Sequence, residues 1–123
     1  MNKLVKEAVL NSDLYIEYLK ALNGVFNLTD RELELLATFV KLDVEYHKLP
    51  GVEKNVANTQ NRKFIINTMH ITRDNLSRYI KRFRKDGLLI RGRADNELYV
   101  NKILIPEVIG DRVQITIILK LKK

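Results

Sequence analysis

Hydrophobic residues recur at helical spacing through most of the chain and then alternate with polar residues near its C-terminus. The best-marked helix carries Leu76, Ile80 and Phe83 at positions i, i+4 and i+7, which gives it one apolar face. Thr72 is suited to cap the start of this helix, and Gly87 is suited to end it in the left-handed conformation. The pattern predicts an amphipathic helix whose other face is left for solvent or a partner.

Strand-like residues follow this helix. Residues 88–90 and 98–100 have strand character, and the turn-like residues 91–96 between them predict a β-hairpin. A shorter helix is predicted before the amphipathic one, over residues 61–68. The stretch 59–101 is therefore expected to form a helix, a tight turn, a second helix and a hairpin.

This order of elements resembles the winged helix-turn-helix superfamily, and locally the MarR-like regulators and the DNA-binding domains of phage and plasmid replication initiators. The resemblance covers roughly Thr29 to Asn101. It implies a winged helix-turn-helix over these residues. Extra N-terminal helices and a C-terminal β-strand, which the hydrophobic pattern predicts outside this range, complete an expected α+β fold that is mainly helical. The matching residues are Ile71, Thr72, Leu76, Ser77, Arg78, Ile80, Phe83, Gly87 and Leu88.

A central scaffold helix is predicted upstream of this stretch. Thr29 and Glu32 have the spacing of a capping box, and Leu28 and Leu33 have that of a hydrophobic staple. The apolar periodicity then continues and should end before Pro50.

The N-terminal residues 1–26 are expected to form a helical extension. Residues 2–10 have helical spacing, and a second helix is predicted over 14–22, ending at Asn23 and Gly24. Two interpretations stay open, ordinary core packing and an arm for dimerisation.

The C-terminal residues 102–123 are expected to form a strand extension of a single domain that spans 1–123. Residues 102–108 are expected to be extended. Residues 112–121 alternate apolar with polar side chains as a half-buried strand does, with one exception, Ile118. That strand could pair beside the hairpin, cross to a second subunit or add to a larger assembly.

The net charge of +7 is concentrated in one part of the chain. Residues 61–93 contain ten basic and two acidic side chains, whereas all other residues contain twelve basic and thirteen acidic ones. The excess positive charge therefore lies on the predicted helix-turn-helix and wing, as a polyanion-binding surface requires.

The predicted site residues follow from the groove geometry of duplex DNA. An α-helix fits the major groove, where arginine pairs with guanine and asparagine with adenine, whereas lysine and arginine farther along the helix meet phosphates. The predicted base-contacting residues are Arg73, Asn75, Ser77 and Arg78. The predicted backbone-contacting residues are Arg62, Lys63, Lys81, Arg82 and Lys85. The predicted wing contacts are Arg91 and Arg93.

The helix over residues 61–68 should bury Phe64, Ile65 and Met69 and leave Arg62 and Lys63 facing outward near its start. The N-terminus of this helix is expected to approach the phosphate backbone.

Catalysis finds little support in the sequence. There is no cysteine, His47 and His70 lack metal-ligand spacing, and no glycine-rich phosphate loop occurs. We expect no catalytic residue, metal or cofactor. No apolar run has the length of a membrane span, and the start is too polar for a secretory signal, so a cytoplasmic protein without membrane contact is expected.

The sequence favours a protein that binds double-stranded DNA sequence-selectively, as a transcription regulator and with a homodimer through the N-terminal helices or C-terminal strand as an option. One alternative is an origin-binding protein similar to phage or plasmid replication initiators. A second is an assembly or adaptor protein that uses the winged helix and the C-terminal strand for protein contacts.

Overall fold

The computed structural model describes residues 13–47, 55–92 and 97–122, which form an α+β fold that is mainly helical. The described residues contain four helices, α1 (Leu14–Phe26), α2 (Asp30–His47), α3 (Thr59–Met69) and α4 (Arg73–Lys85). Strands β1 (Leu89–Arg91) and β2 (Leu98–Val100) form one antiparallel sheet, and β3 (Val108–Ile109) and β4 (Arg112–Val113) form another. The predicted helix over residues 2–10 and the predicted wing residue Arg93 lie outside the described residues.

The helix α2 is the centre of the fold. The predicted capping box is confirmed, because the backbone N–H of Thr29 donates to Oε1 of Glu32 at 3.0 Å and the N–H of Glu32 donates to Oγ1 of Thr29 at 3.2 Å. Leu28 and Leu33, the predicted staple, are both buried. The α2 side chains that are fully enclosed in the core are Leu33, Leu35, Leu36, Phe39 and Val40.

The helix α1 packs against α2 and is longer than predicted. It continues past Asn23 and Gly24 to Phe26. Asn23 lies inside the helix, and its side chain exchanges two hydrogen bonds with the backbone of Leu28, at 2.8 and 2.9 Å. Asn27 takes the left-handed conformation instead, with φ of 56°, and its N–H donates to the Asn23 carbonyl.

The helix α3 begins two residues earlier than predicted, with Asn58 as its N-cap. Ile65 is fully buried as expected, but the prediction that Phe64 is buried is wrong, since Phe64 is 53% exposed. The buried residues of α3 are Asn61 and Ile65, one turn apart, and Phe64 lies about 100° around the helix from Ile65.

The β1–β2 hairpin is joined to the helical core at two places. Residue Asn55 forms a parallel bridge with Leu98, and the next backbone N–H, of Val56, donates to the Leu98 carbonyl at 3.1 Å. Farther along β2, the N–H of Val100 donates a 2.7 Å hydrogen bond to the buried carboxylate of Asp43 in α2. These contacts hold the hairpin at a defined position relative to α2.

The C-terminal region differs most from expectation. Residues 102–104, predicted as extended, form a 3₁₀ turn, in which the side chain of Asn101 accepts from the N–H of Ile103. The predicted strand over 112–121 is reduced to Arg112–Val113, because only these residues have a ladder partner, in β3. The rest of that segment is exposed.

Candidate nucleic-acid interface

The helix α4 has well-defined ends. Oγ1 of Thr72 accepts a hydrogen bond from the N–H of Asn75 at 3.2 Å, as predicted for an N-cap. At the other end Gly87 has φ of 76°, and the N–H of Leu88 donates to the carbonyl of Phe83 at 2.8 Å. This six-residue closure is the Schellman arrangement, which requires a left-handed residue at Gly87. The sequence therefore fixes both ends of α4 locally.

The apolar face of α4 packs into the core. Leu76, Ile80 and Phe83 are buried, and Tyr79 stacks on Phe83 with ring centroids 6.5 Å apart. Ile71, just before the N-cap, is also buried, and with Leu76 it has the spacing of a hydrophobic staple. The opposite face of α4 is therefore held toward solvent.

The polar side chains of α4 fall on three lines along that face, since successive residues are about 100° apart around a helix. All of them are exposed. The centre of the exposed face carries Arg78, Lys81 and Lys85 together with the acidic Asp74, one flank carries Arg73, Ser77 and Arg84, and the other flank carries Asn75 and Arg82.

A cleft of about 620 Å³ lies between α3 and α4. The structure brings Arg62 and Lys63 of α3 to the same cleft as Arg73 and Ser77 of α4, with Ile66 in its lining. Sequence analysis assigned these four residues to the site, and the two helices place them side by side. Three cations on one cleft make it suited to an anion such as a phosphate.

The α3 side of this cleft is built by a network of amide side chains. Oδ1 of Asn58 accepts from the N–H of Asn61 at 2.8 Å, and both Asn58 and Asn61 donate to the hydroxyl of Tyr46 in α2, at 3.0 and 2.6 Å. Nε of Arg62 donates to the carbonyl of Ala57 at 2.7 Å. The start of α3 is thus fixed to α2, and the guanidinium of Arg62 is held at the cleft.

A second cleft, of about 570 Å³, lies between α4 and β1. Lys81, Arg84 and Lys85 line it from α4, Arg91 lines it from β1, and Leu89 contributes apolar surface. Arg84 was not among the predicted site residues. The sequence could have indicated Arg84, because its spacing from Arg73 places both residues on one flank of the helix.

Arg82 differs from the other cations of α4. Its guanidinium pairs with Oε2 of Glu32 in α2, a side chain only 2% exposed, and it lies 3.8 Å from the carboxylate of Asp86. Since Oε1 of Glu32 already caps α2 through Thr29, one buried carboxylate connects the start of α2 to the middle of α4. Arg82 was predicted to contact phosphates, and the structure gives it a partner within the protein.

Gly92, just after β1, lies very close to Glu97 and Tyr99 on the other side of the hairpin. The N–H of Gly92 donates to the carbonyl of Glu97 at 3.0 Å, and a Cβ added at Gly92 would lie 2.5 Å from the Cβ of Glu97 and against the ring of Tyr99. Only glycine fits this position without displacement. A hydrogen bond with the Glu97 side chain raises the pKa of Tyr99, with further contributions from burial and from the negative charges of Glu97 and Asp43.

The basic surface is defined here as the exposed basic side chains that line the two clefts or the centre of α4, together with Ser77. It consists of Arg62, Lys63, Arg73, Ser77, Arg78, Lys81, Arg84, Lys85 and Arg91.

Residues 13–47, 55–92 and 97–122 contain no group of three or more histidine, aspartate or glutamate side chains arranged to hold a metal ion. None of the helices formed by these residues has the length and apolar character needed to cross a membrane.

Comparisons of the chain with protein-family models, with curated proteins and with solved structures found no match. The case for a function therefore depends on the geometry and charge of the basic surface.

Proposed function

We propose that this protein is a winged helix-turn-helix protein that binds double-stranded DNA sequence-selectively, with transcription regulation as its role. The observation that carries the proposal is the convergence of cations from α3, α4 and β1 on the basic surface. These three elements are consecutive in the chain, and their charged side chains line two clefts, one between α3 and α4 and the other between α4 and β1.

The arrangement of elements supports the winged-helix assignment. A scaffold helix (α2) is followed by a bridged residue (Asn55), two helices joined by a short turn (α3 and α4) and an antiparallel hairpin (β1–β2). In proteins with a helix-turn-helix, the second helix enters the major groove and the first crosses the backbone. Here those roles fall to α4 and α3.

Within this proposal the N-terminal half of α4 reads base edges. Arg73, Asn75, Ser77 and Arg78 are exposed there, and arginine can donate two hydrogen bonds to guanine. Asn75 lies on the flank away from the α3–α4 cleft, so it reads a different part of the groove from Arg73.

Phosphate contacts come from the remainder of the basic surface. Arg62 and Lys63 hold one strand at the start of α3, and Lys81 and Lys85 hold the backbone near the hairpin. Arg84 joins the second group, whereas Arg82 acts mainly by fixing α4 to α2 through Glu32. Arg91 contacts the adjoining backbone or minor groove.

The test is fluorescence anisotropy of the purified protein with a random duplex pool, single-stranded DNA and RNA over a salt series, followed by selection and sequencing of bound duplexes. Six to eight phosphate contacts give a log–log slope of affinity against salt of roughly −5 to −7. Tight, salt-sensitive duplex binding with an enriched motif is the expected result. Weak binding without a motif would overturn the proposal.

A matched charge control is available on α1, which lines neither cleft. Lys20 is exposed, 3.9 Å from Glu17, and Lys20→Ala removes the same charge as Lys81→Ala. Lys81→Ala should lower duplex affinity and make the salt slope shallower by about one unit. Lys20→Ala should change neither quantity. Equal effects would mean that net charge alone, and not the basic surface, attracts DNA.

The initiator-like alternative shares this DNA surface and differs in the site that is bound. An enriched motif found at promoters supports regulation, whereas one repeated at a replication origin supports initiation. The adaptor alternative is favoured by one observation, the exposed apolar side chains of the C-terminal segment.

A further inference from the structure

The C-terminal segment combines a strand pattern with strong exposure. From Val113 to Leu121 every second residue is aliphatic. Ile115 is 36% exposed, Ile117 54%, Leu119 84% and Leu121 91%. Aliphatic side chains at every second position, called the aliphatic row below, are typical of a strand with one buried face. Within the described part of the single chain, no residue covers this face over most of its length.

The segment already enters a sheet at its start. Val113 lies opposite Val108, and Arg112 lies opposite Ile109, in the β3–β4 hairpin. From residue 114 to residue 122 the described chain has no ladder partner. Strand β4 therefore ends where the short β3 ends, although the alternation continues for eight more residues. An unpaired strand of this kind is a template for pairing with another chain.

We propose that residues 113–121 pair antiparallel with the same residues of a second copy of this chain, about a two-fold axis at Ile117. The partner is a second copy because the aliphatic row is complementary to itself. Opposite residues in an antiparallel pair lie on the same face, so a self-pair must match aliphatic with aliphatic positions.

Only one register matches the whole row. With Ile117 on the axis, Val113 faces Leu121, Ile115 faces Leu119 and Ile117 faces its own copy, so all five aliphatic positions of the row are used. A shift of the axis to residue 116 places Leu121 opposite Asp111, and a shift to residue 115 places Leu119 opposite Asp111. A charged side chain opposite an aliphatic one in the row disfavours both shifts.

The β3 strands support the two ends of the proposed ribbon. A two-stranded ribbon is marginal in water, whereas three or more strands with an apolar face are stable. Pairing through β4 places β3 of each copy beside one end of the ribbon, so each end has three strands and residues 114–120 form a two-stranded centre. Val108, 56% exposed in the single chain, lies opposite Val113 and extends the aliphatic face.

Charge gives this dimer a distinctive salt dependence. The proposed register places Arg112 opposite Lys122 and Asp111 opposite Lys123 at each end, and residues 111–123 of each copy contain four basic side chains and one acidic one, so the two paired segments are both positively charged. Like charges at the ends repel, and salt screens that repulsion between exposed groups. Dimerisation should therefore strengthen as salt rises, whereas DNA binding weakens. The two associations can be told apart by this opposite response.

The first measurement is light scattering coupled to size-exclusion chromatography, without DNA, over a range of protein and salt concentrations. A mass that rises toward twice that of the monomer with protein concentration, at lower concentration in high salt, is expected. A monomer under all these conditions would overturn the proposal. Because DNA is absent, either result leaves the DNA-binding proposal to its own test.

The register is read by cross-linking. The chain has no cysteine, so each single-cysteine variant reports one position. Opposite residues in an antiparallel pair have Cα atoms about 4.5–5.5 Å apart, within the range that a disulfide spans. Ile117→Cys should form a disulfide-linked dimer most rapidly, ahead of Val113→Cys, Ile115→Cys, Leu119→Cys and Leu121→Cys. Equal rates at all positions, or a maximum elsewhere, would overturn the register.

A pair of charge variants separates the aliphatic face from the polar one. Ile117→Lys places two like charges together on the axis and should give a monomer, whereas Thr116→Lys lies on the opposite face and should keep the dimer. Both positions are exposed in the single chain, so both variants should keep the helical circular dichroism signal of the wild type. Two dimeric variants, or two monomeric ones, would contradict the proposed face.

Discussion

The guanidinium of Arg82 in α4 pairs with the carboxylate of Glu32 in α2, and the same carboxylate caps α2 through the N–H of Thr29. Glu32 is 2% exposed, so its charge depends on these partners for compensation. The pair therefore fixes the helix that is proposed to enter the groove.

Removing the Arg82 charge should cost more stability than removing any other cation of α4. Arg82→Met leaves Glu32 buried without its cation and should lower the free energy of unfolding by about 1–3 kcal/mol. Arg78→Met, at an exposed position, should stay within about 0.5 kcal/mol of the wild type. Urea unfolding of both variants gives the comparison.

A double-mutant cycle tests the pairing itself. Glu32→Gln keeps an acceptor for the Thr29 N–H but removes the charge, so the loss from Arg82→Met should be smaller in the Glu32→Gln background. Additive losses would mean that Glu32 and Arg82 do not stabilise the fold as a pair.

Two cations of α4 should differ in what they contribute to DNA recognition. Arg78 lies in the N-terminal half of the helix, whereas Lys85 lines the cleft beside β1. We expect Arg78→Ala to erode discrimination between duplex sequences by about 1–3 kcal/mol, and Lys85→Ala to weaken all duplexes about equally. Competition binding with the selected motif and a scrambled duplex measures both effects. Equal losses on all duplexes for both variants would contradict this division.

The close approach at Gly92 should make the hairpin sensitive to a single methyl group. Gly92→Ala places a Cβ against Glu97 and Tyr99, and we expect a loss of about 1–3 kcal/mol in stability from this overpacking. Duplex affinity should also fall although no charge changes. Thermal unfolding and anisotropy give the two quantities.

Gly24→Ala is the matched control for Gly92→Ala. No atom lies within 4 Å of a Cβ added at Gly24, which lies inside α1. Alanine is the better helix former there, and it should raise stability by about 0.5–1 kcal/mol. If Gly92→Ala also raised stability, the hairpin would have to relax at little cost.

The free energy of unfolding should fall at alkaline pH because Tyr18 loses its proton. Burial raises the pKa of Tyr18 above its ordinary value of 10.0, and its hydroxyl donates to the carbonyl of Ile103 at 3.0 Å. Since the folded chain holds this proton more tightly than the unfolded chain, the contribution is complete below pH 10.0 and is lost as pH rises through the folded pKa.

The comparison with Tyr18→Phe isolates this effect from the other tyrosines. The variant lacks the hydrogen bond and should be less stable than the wild type at neutral pH by about 0.5–1.5 kcal/mol. The difference should narrow as pH rises above 10.0, because only the wild type loses the contribution. Urea unfolding over a pH series measures it, and a constant difference would assign the Tyr18 contribution to packing alone.

The elements that sequence analysis predicted well are those with local signals at both ends. The helix α4 has its cap at Thr72 and its left-handed residue at Gly87, and α2 has the capping box of Thr29 and Glu32. The exposed face of α4, and with it most of the candidate site, follows directly from the positions of its buried residues.

The features that the sequence did not indicate depend on partners far along the chain. The Glu32–Arg82 pair joins residues 50 positions apart, and neither residue has a neighbour in sequence that suggests it. The extent of β4 was overestimated because alternation reports a preference for a buried face, not the presence of a strand to pair with. Phe64 was assigned to the core by its hydrophobicity, although Asn61 occupies the buried position one turn before Ile65.

Both buried carboxylates of α2 reach outward to elements of the proposed DNA surface, Glu32 to Arg82 in α4 and Asp43 to the N–H of Val100 in β2. The reading helix and the second strand of the hairpin are therefore ordered before any nucleic acid arrives. DNA binding therefore orders little additional protein backbone. A flexible binding segment, in contrast, loses conformational entropy when it associates with its partner. For α4 and β2, this loss of conformational entropy occurs when the helical core folds.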